Sequence, residues 1–443
     1  MIIDSLTPLH KTKSHFRHSV FSNNKFMKLW SAQVLSQVTV NILNFVLAVS
    51  VYNMTKSNSA VSYIVISFGL AAFLFGAPAG VIVDYLDNKK TLILSILFRA
   101  LFVLSLLFIS HSIVLTILLA FILNSITQFF FPAEASSIPL IVKNENLLQA
   151  NALYSMTYFA AQIIGYVSAG IILNVLSFNF TIFLMSACFL IAVFLIYKID
   201  FPIEEKAKIT WEKVKKEIVN DFSKGLTYIY KNAKIKEPLA YLAMSQVLSA
   251  AFLTLIPGYA VEVLGLKVED TSLYLIAPAA FGMLLGGLYL NIFGRKINRR
   301  KLIDIGAKGA FLSFALLALL QRVPFSSLSN QLEFSDTISN AYNRFLGVDL
   351  LIFGVFFMIL AGISNAFIII VNNTRLQMRT NSDLRGRVYG VLQTIVTVSA
   401  FVPVIMAGRL ADVIGINLVI FAVAVLILSI HLVIRYKYSR SLG

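Results

Sequence analysis

From Ala60 to Lys90 the chain reads AVSYIVISFGLAAFLFGAPAGVIVDYLDNKK. Residues 60–83 carry no charged side chain, and the residues that follow include Asp84, Asp87, Lys89 and Lys90. A helix over 60–83 would be about 36 Å long, enough to cross the roughly 30 Å of hydrocarbon in a bilayer. The apolar residues do not alternate as in a barrel strand. A lipid-exposed segment of this kind satisfies its own backbone hydrogen bonds only as a helix. The stretch predicts a transmembrane helix that ends abruptly in a short charged loop.

The same unit recurs on both sides. Apolar runs occupy about 29–53, 60–83, 91–110, 112–131, 150–176 and 179–197, then about 239–263, 271–293, 302–321, 349–371, 388–411 and 416–435. The chain has 443 residues, of which 58% are hydrophobic and 13% charged. A soluble globular chain is about a quarter charged. This balance excludes a soluble enzyme and predicts an all-α integral membrane protein, with twelve transmembrane helices in two pseudo-symmetric six-helix halves. The expected divisions are a tail (1–28), a first half (29–198), a charged linker (199–238), a second half (239–435) and a closing tail (436–443). A polar insert, 323–348, interrupts the second half.

The net charge of +16 would suggest nucleic acid in a soluble protein. Here the positive residues lie in the short segments between apolar runs, and membrane topology accounts for them without a nucleic-acid partner. With both termini cytoplasmic, one side collects Lys11, Lys13, Arg17, Lys25 and Lys28, the Lys89–Lys90 and Arg295–Lys301 loops, the linker lysines, and Arg375, Arg379, Arg385 and Arg387. The other side keeps Lys56, Lys267, Arg322, Arg344 and Arg409, while Arg99 and Lys308 fall within runs. This asymmetry predicts a multi-pass protein of a bacterial-type plasma membrane, with lipids as neighbours and a monomeric state. Cys188 is the single cysteine, so no disulfide forms within the chain. The first 25 residues lack the apolar core of a signal peptide, and no cleaved leader is expected.

The halves repeat each other. Ala32-Gln33-Val34-Leu35-Ser36 in the first run matches Ser245-Gln246-Val247-Leu248-Ser249 in the seventh. Gly76 and Gly80 precede the basic loop after the second run, and Gly286 and Gly287 precede the one after the eighth. Ala169-Gly170 in the fifth parallels Ala407-Gly408 in the eleventh. The shared order of these pairs indicates duplication. In the linker, Trp211, Val214, Ile218, Phe222, Leu226 and Tyr230 recur at helical spacing opposite lysines, the pattern of an amphipathic helix on a membrane surface.

No nucleotide-binding, zinc-spaced or nucleophile-elbow motif is present, so no cofactor or metal is expected and a self-contained ATP-driven pump is excluded. Three polar signals remain. Gln33, Gln37, Asn41 and Asn44 share one face of the first helix. They line a cavity for a small neutral molecule or join helices by hydrogen bonds. Asn124, Gln128, Gln246 and Asn365 are similar cavity candidates. The second signal is Gly80 to Lys90, where Gly80 permits close packing and Asp84, Lys89 and Lys90 form either a gate or a topology-setting loop. The third is Arg99, inside the third run, expected to pair with Asp84 rather than to touch substrate.

The Gly80–Lys90 stretch resembles the loop-two signature of the major facilitator superfamily, Gly-x-x-x-Asp-Arg-x-x-Arg-Arg/Lys. With Asp87, it is similar to the branch of macrolide-efflux proteins and the enterobactin exporter. Phe131-Pro132-Ala133, Leu148-Gln149-Ala150-Asn151-Ala152, Leu384-Arg385-Gly386-Arg387-Val388 and Ala407-Gly408-Arg409-Leu410-Ala411-Asp412 fit that branch. The resemblance implies two rocking halves around a cavity lined by helices one, four, seven and ten. It also implies Asp84 as gating carboxylate. The leading expectation is export of amphipathic drugs or siderophore-like metabolites; import or exchange of a nutrient or lipid-like metabolite, and a transport-inactive scaffold or sensor, are the alternatives. The sequence departs from the pattern at Tyr85 and Asn88, at Gly165-Tyr166 where exporters carry Gly-Pro, and at Thr39 and Val40 where relatives carry Gly-Asp. Each of Asp84, Glu134, Glu262, Asp304, Asp349 and Asp412 falls near the edge of a run. Protons as coupling ion would therefore use Asp84 or Glu134.

Overall fold

Short polar side chains start the helices. Ser57, Ser112 and Ser177 lie in extended backbone and accept hydrogen bonds from the amides of Ala60, Leu115 and Phe180. Each satisfies a donor that a helix start leaves orphaned. The computed structural model describes residues 20–109, 111–202, 211–294, 296–320, 336–380 and 382–439. Most of the first tail, Arg295, residues 323–335 of the insert and the side chains of Leu384–Arg387 lie outside the described residues.

Among the described residues, twelve helices are long and apolar enough to cross a membrane. The first half comprises α1 (Asn24–Thr55), α2 (Asn58–Val83), α3 (Asn88–Ile109), α4 (Ile113–Ile141), α5 (Leu147–Val175) and α6 (Phe178–Tyr197). The second comprises α7 (Ala233–Val263), α8 (Val268–Phe293), α9 (Arg299–Leu319), α10 (Asp336–Arg379), α11 (Ser382–Ile414) and α12 (Ile416–Ser439). The fourth helix runs well past the expected end at 131, to Ile141, and within it the hydroxyls of Ser137 and Thr127 are satisfied on carbonyls of their own helix. Glu134 consequently lies inside α4 rather than beyond it.

The duplication is visible in the packing. In the first half α2 packs on α4, α3 on α4 and α6, and α1 on α5. In the second half α8 packs on α10, α9 on α10 and α12, and α7 on α11, each partner six helices later. The halves meet where α2 lies against α11 and α5 against the start of α8. Polar pairs bind the second half internally: Arg375 to Glu237, Arg435 to Asp304, and the Tyr241 hydroxyl to His431 Nδ1 at 3.0 Å.

A linker helix, Trp211–Lys231, occupies the segment between the halves. Tyr228 and Ile229 pack on a cluster formed by Ile235, Leu239, Leu242, Leu376 and Val388. Its contacts run to α2 and α11. Val219, Phe222, Leu226 and Tyr230 remain exposed along one face.

Candidate functional site

A cavity of about 340 Å³ opens between α5 and the second half. Gln162, Ile163 and Tyr166 of α5 form one wall, facing α7, α8 and α10. The lining is mainly aliphatic and aromatic, and none of its side chains is charged. Its polar groups include Gln162, Ser245, Gln246, Ser249 and Asn365, and the Ser245 hydroxyl donates to Asn365 Oδ1 at 2.6 Å. Apolar walls with a few fixed amides suit an uncharged molecule that carries hydrogen-bonding groups. A smaller cavity of about 20 Å³ adjoins Tyr166, where Asn44, Phe45 and Phe68 bring α1 and α2 to its wall.

The sequence candidates are divided among different places. Gln246 and Asn365 line the larger cavity and Asn44 the smaller one. Gln33 and Gln37 are 1% and 4% exposed, and Gln33 Nε2 donates to the Tyr154 carbonyl at 3.3 Å. Asn41 Nδ2 donates to the carbonyl of Gln37 at 2.8 Å and reaches that of Ala161 at 3.5 Å. Gln33 and Asn41 thus bind α1 to α5, while the Gln37 side chain is buried between helices with its Nε2 unpartnered. Neither cavity takes in Asn124 or Gln128. Asn124 Nδ2 donates to the Ala120 carbonyl at 2.9 Å, and Gln128 Nε2 to the Asn124 carbonyl at 3.3 Å. Gln162 and Tyr166 were missed. Their signal was a glutamine and a tyrosine four residues apart in the middle of an apolar helix.

At the loop after α2, Asp84 follows the last helical residue and is exposed. Asp87 starts α3, its Oδ1 accepting from the Lys90 amide at 2.8 Å. Lys89 Nζ lies over the Tyr197 ring at 5.5 Å. Gly80 does not provide the expected close approach, since a Cβ there would meet nothing within 4 Å. Arg99 is also placed differently from expectation. Its guanidinium is 2% exposed, donates from Nη1 to Ser36 Oγ at 2.9 Å and lies 4.6 Å from the centre of the Phe130 ring. The carboxylate whose field acts on it is Glu134, not the expected Asp84. Eleven residues into α3, Arg99 is held among α1 and α4 side chains, away from the loop.

The seam between the halves is closed at the end of the bundle opposite the termini. Asp412, near the end of α11, meets the start of α2. Its Oδ2 accepts from Ser57 Oγ at 2.6 Å, Ser59 Oγ at 2.6 Å and the Ser59 amide at 3.0 Å. Its Oδ1 accepts from the Asn58 amide at 2.8 Å. A carboxylate there also faces the positive end of the α2 dipole. Beside it the Tyr52 hydroxyl donates to Glu262 at 3.2 Å, and Asn174 Nδ2 donates to Asp270 at 2.7 Å. Asp412 was legible as a motif residue but not as a latch. The cue was the Ser57-Asn58-Ser59 helix start, whose first turn has no acid of its own.

Twelve membrane-crossing helices in two matched halves, with a cavity between them and one end shut by side chains from both, define a polytopic carrier. The model of the Major Facilitator Superfamily matches residues 29–402, and the chain belongs to that family of transporters. Macrolide efflux protein A of Streptococcus pyogenes is 24% identical over 405 residues, covering 89% of this chain and 91% of the relative. An uncharacterized MFS-type transporter, YkuC of Bacillus subtilis (strain 168), is 26% identical over 306 residues, covering 65% of this chain and 68% of the relative. Among solved structures, the nucleoside transporter NupG superposes with a TM-score of 0.68 at 14% identity, covering 94% of this chain and 99% of that one. A bacterial homolog of the human lysosomal transporter Spinster gives 0.67 at 14% identity, covering 94% and 96%. These likenesses confirm the fold.

Proposed function

We propose that this transporter exports uncharged or weakly polar amphipathic molecules from the cytoplasm by alternating access, driven by an ion gradient as an antiporter. The observation that carries this reading is the uncharged, largely apolar cavity bounded by both halves, with Gln162, Gln246 and Asn365 as fixed polar groups. In this reading the shut end is the outer one and the termini lie in the cytoplasm of a bacterial-type plasma membrane, an orientation that the distribution of Lys and Arg supports. The loop of Gly80, Asp84, Lys89 and Lys90 is the inner gate. The similarity to a protein named for macrolide efflux supports export.

The test is accumulation of a panel of dyes and antibiotics in an efflux-deficient bacterial host. Wild type, Asn365→Ala and empty vector are compared, with and without a protonophore. Lower accumulation with wild type, lost on adding the protonophore, is expected. Removing one hydrogen-bonding amide weakens binding by about 0.5–1.5 kcal/mol, so Asn365→Ala should raise the half-saturating concentration about two- to tenfold. Unchanged accumulation of every compound, with the protein in the membrane, would overturn export and turn the test to uptake.

A further inference from the structure

The first half encloses a charged cluster that the cavity does not use. Glu134 is 0% exposed and Arg99 2%. Glu134 Oε2 accepts from the Tyr154 hydroxyl at 2.9 Å, while its Oε1 has no hydrogen-bond partner. Arg99 uses Nη1 on Ser36, and its Nε and Nη2 are likewise unpartnered. Gln33 Oε1 and Gln37 Nε2 on the adjacent α1 turns are buried and unpartnered as well. A buried charge normally fills its hydrogen-bonding positions, because each one left open costs free energy in a medium of low dielectric. Five such atoms on neighbouring side chains leave the ionised form of this cluster poorly satisfied in this arrangement of helices.

We propose that Glu134 is the group on which this transporter carries a coupling proton. The inference rests on the alternating-access reading above. One proton from hydronium adds to the carboxylate, which passes from charge −1 to 0: an O–H bond forms on Glu134, the hydronium O–H bond breaks, and water is released. Arg99 then loses its compensating anion. Glu134 is met by the Tyr154 hydroxyl on α5 and by the charge of Arg99 on α3; on α1 the uncharged Ser36 holds Arg99 and Gln33 reaches the Tyr154 carbonyl. Tyr158 lies one turn beyond Tyr154, and α2 contributes no titratable residue between Tyr63 and Asp84. The change of charge therefore acts on one cation and one phenol.

α5 connects this event to the transport pathway. Tyr154 holds the carboxylate, Gln162 and Tyr166 form the cavity wall two and three turns on, and Asn174 reaches Asp270 at the outer seam. From Tyr154 to Asn174 is about 30 Å of continuous helix. A shift of α5 against α1, when Tyr154 loses its charged acceptor, reaches both cavity and seam. Alternation between loaded and unloaded carboxyl thus alters the outer closure.

The experiment measures the outer seam by spin-label distances in phosphatidylethanolamine–phosphatidylglycerol nanodiscs. Labels are placed at Met54→Cys and Val413→Cys in a Cys188→Ser background; the two positions are exposed and belong to opposite halves. Between about pH 5 and about pH 9 the open-to-closed ratio of the otherwise unmodified protein should change at least tenfold. Glu134→Gln should abolish this response. The double variant Arg99→Gln with Glu134→Gln, which leaves no buried charge unpaired, should fold and be equally insensitive to pH. Tyr154→Phe should keep the response but displace its midpoint. A pH response that persists in either Glu134→Gln variant would overturn the proposal, even where the seam still opens and closes as alternating access requires. A seam that stays in one state at every pH, in every variant, would overturn that reading too.

Discussion

Asp412 shows how much one side chain can decide at an interface of this kind. Its carboxylate collects hydroxyl and amide donors from three consecutive residues of the other half, all at the start of α2. Hydrogen bonds to a charged acceptor are worth about 1.5–3 kcal/mol each when shielded, and less at an edge open to water. Replacing Asp412 with Ala should therefore weaken this closure by about 1–2 kcal/mol, roughly five- to thirtyfold in the open-to-closed ratio. Asp412→Asn should give a smaller effect, since one oxygen remains to accept. The labelled Met54–Val413 pair measures both, and a closed population as large as in wild type would remove Asp412 from the latch. Residues such as this one resist sequence reading because their partners come from a helix more than 350 positions away. The amides of α1 show the same limit. Their shared face was legible, but whether that face met a cavity or α5 depended on how two helices approach.

At the scale of elements, the paired glycines of the internal repeat become intelligible. Gly170 in α5 and Gly408 in α11 occupy matching places in the two halves. A Cβ on Gly170 would lie 1.9 Å from Ser272 Oγ and 2.2 Å from the Glu269 carbonyl oxygen, at the start of α8. A Cβ on Gly408 would lie 2.8 Å from the Asn58 carbonyl oxygen and 3.0 Å from the Ser59 Cα, at the start of α2. Each glycine lets a helix of one half lie directly on the backbone of the other, and the two contacts form the two sides of the seam at the end opposite the termini. Overpacking such a contact costs about 1–3 kcal/mol. Gly408→Val should consequently hold this end open without unfolding either half. The measure is the rate at which a membrane-impermeant maleimide labels Thr271→Cys, a fully buried seam position, in a Cys188→Ser background. The rate should rise about tenfold or more, and an unchanged rate would show that the seam tolerates the added side chain. The Ala-Gly repeat was readable in the sequence. Its meaning was not, because nothing local distinguishes a glycine that packs two halves together from one, such as Gly80, that faces open space.

For the whole molecule, the number of crossings and the division into halves follow from length and hydropathy, quantities that each segment carries by itself. Helix ends at polar residues are less legible. α4 continues past Glu134, and the carboxylate is met there by the Tyr154 hydroxyl of α5, a partner that no local pattern around residue 134 announces. The way the halves meet is a relation between distant surfaces and becomes visible only in three dimensions. Orientation in the bilayer belongs to this scale as well, and charge argues it. The basic loop after α8 and the linker lysines lie at the same end as both termini, and moving such charges across a bilayer is opposed by several kcal/mol each at its centre. That end should face the cytoplasm. Alkaline phosphatase, active only outside the cytoplasm, should be inactive when fused after Ser439 and active when fused after Thr55, at the turn between α1 and α2. A fluorescent protein that folds only in the cytoplasm should give the opposite pattern at the same two positions. The reverse result would place the latch of Asp412 on the inner side, and with it the outward-closed state and the direction assigned to transport would have to be exchanged.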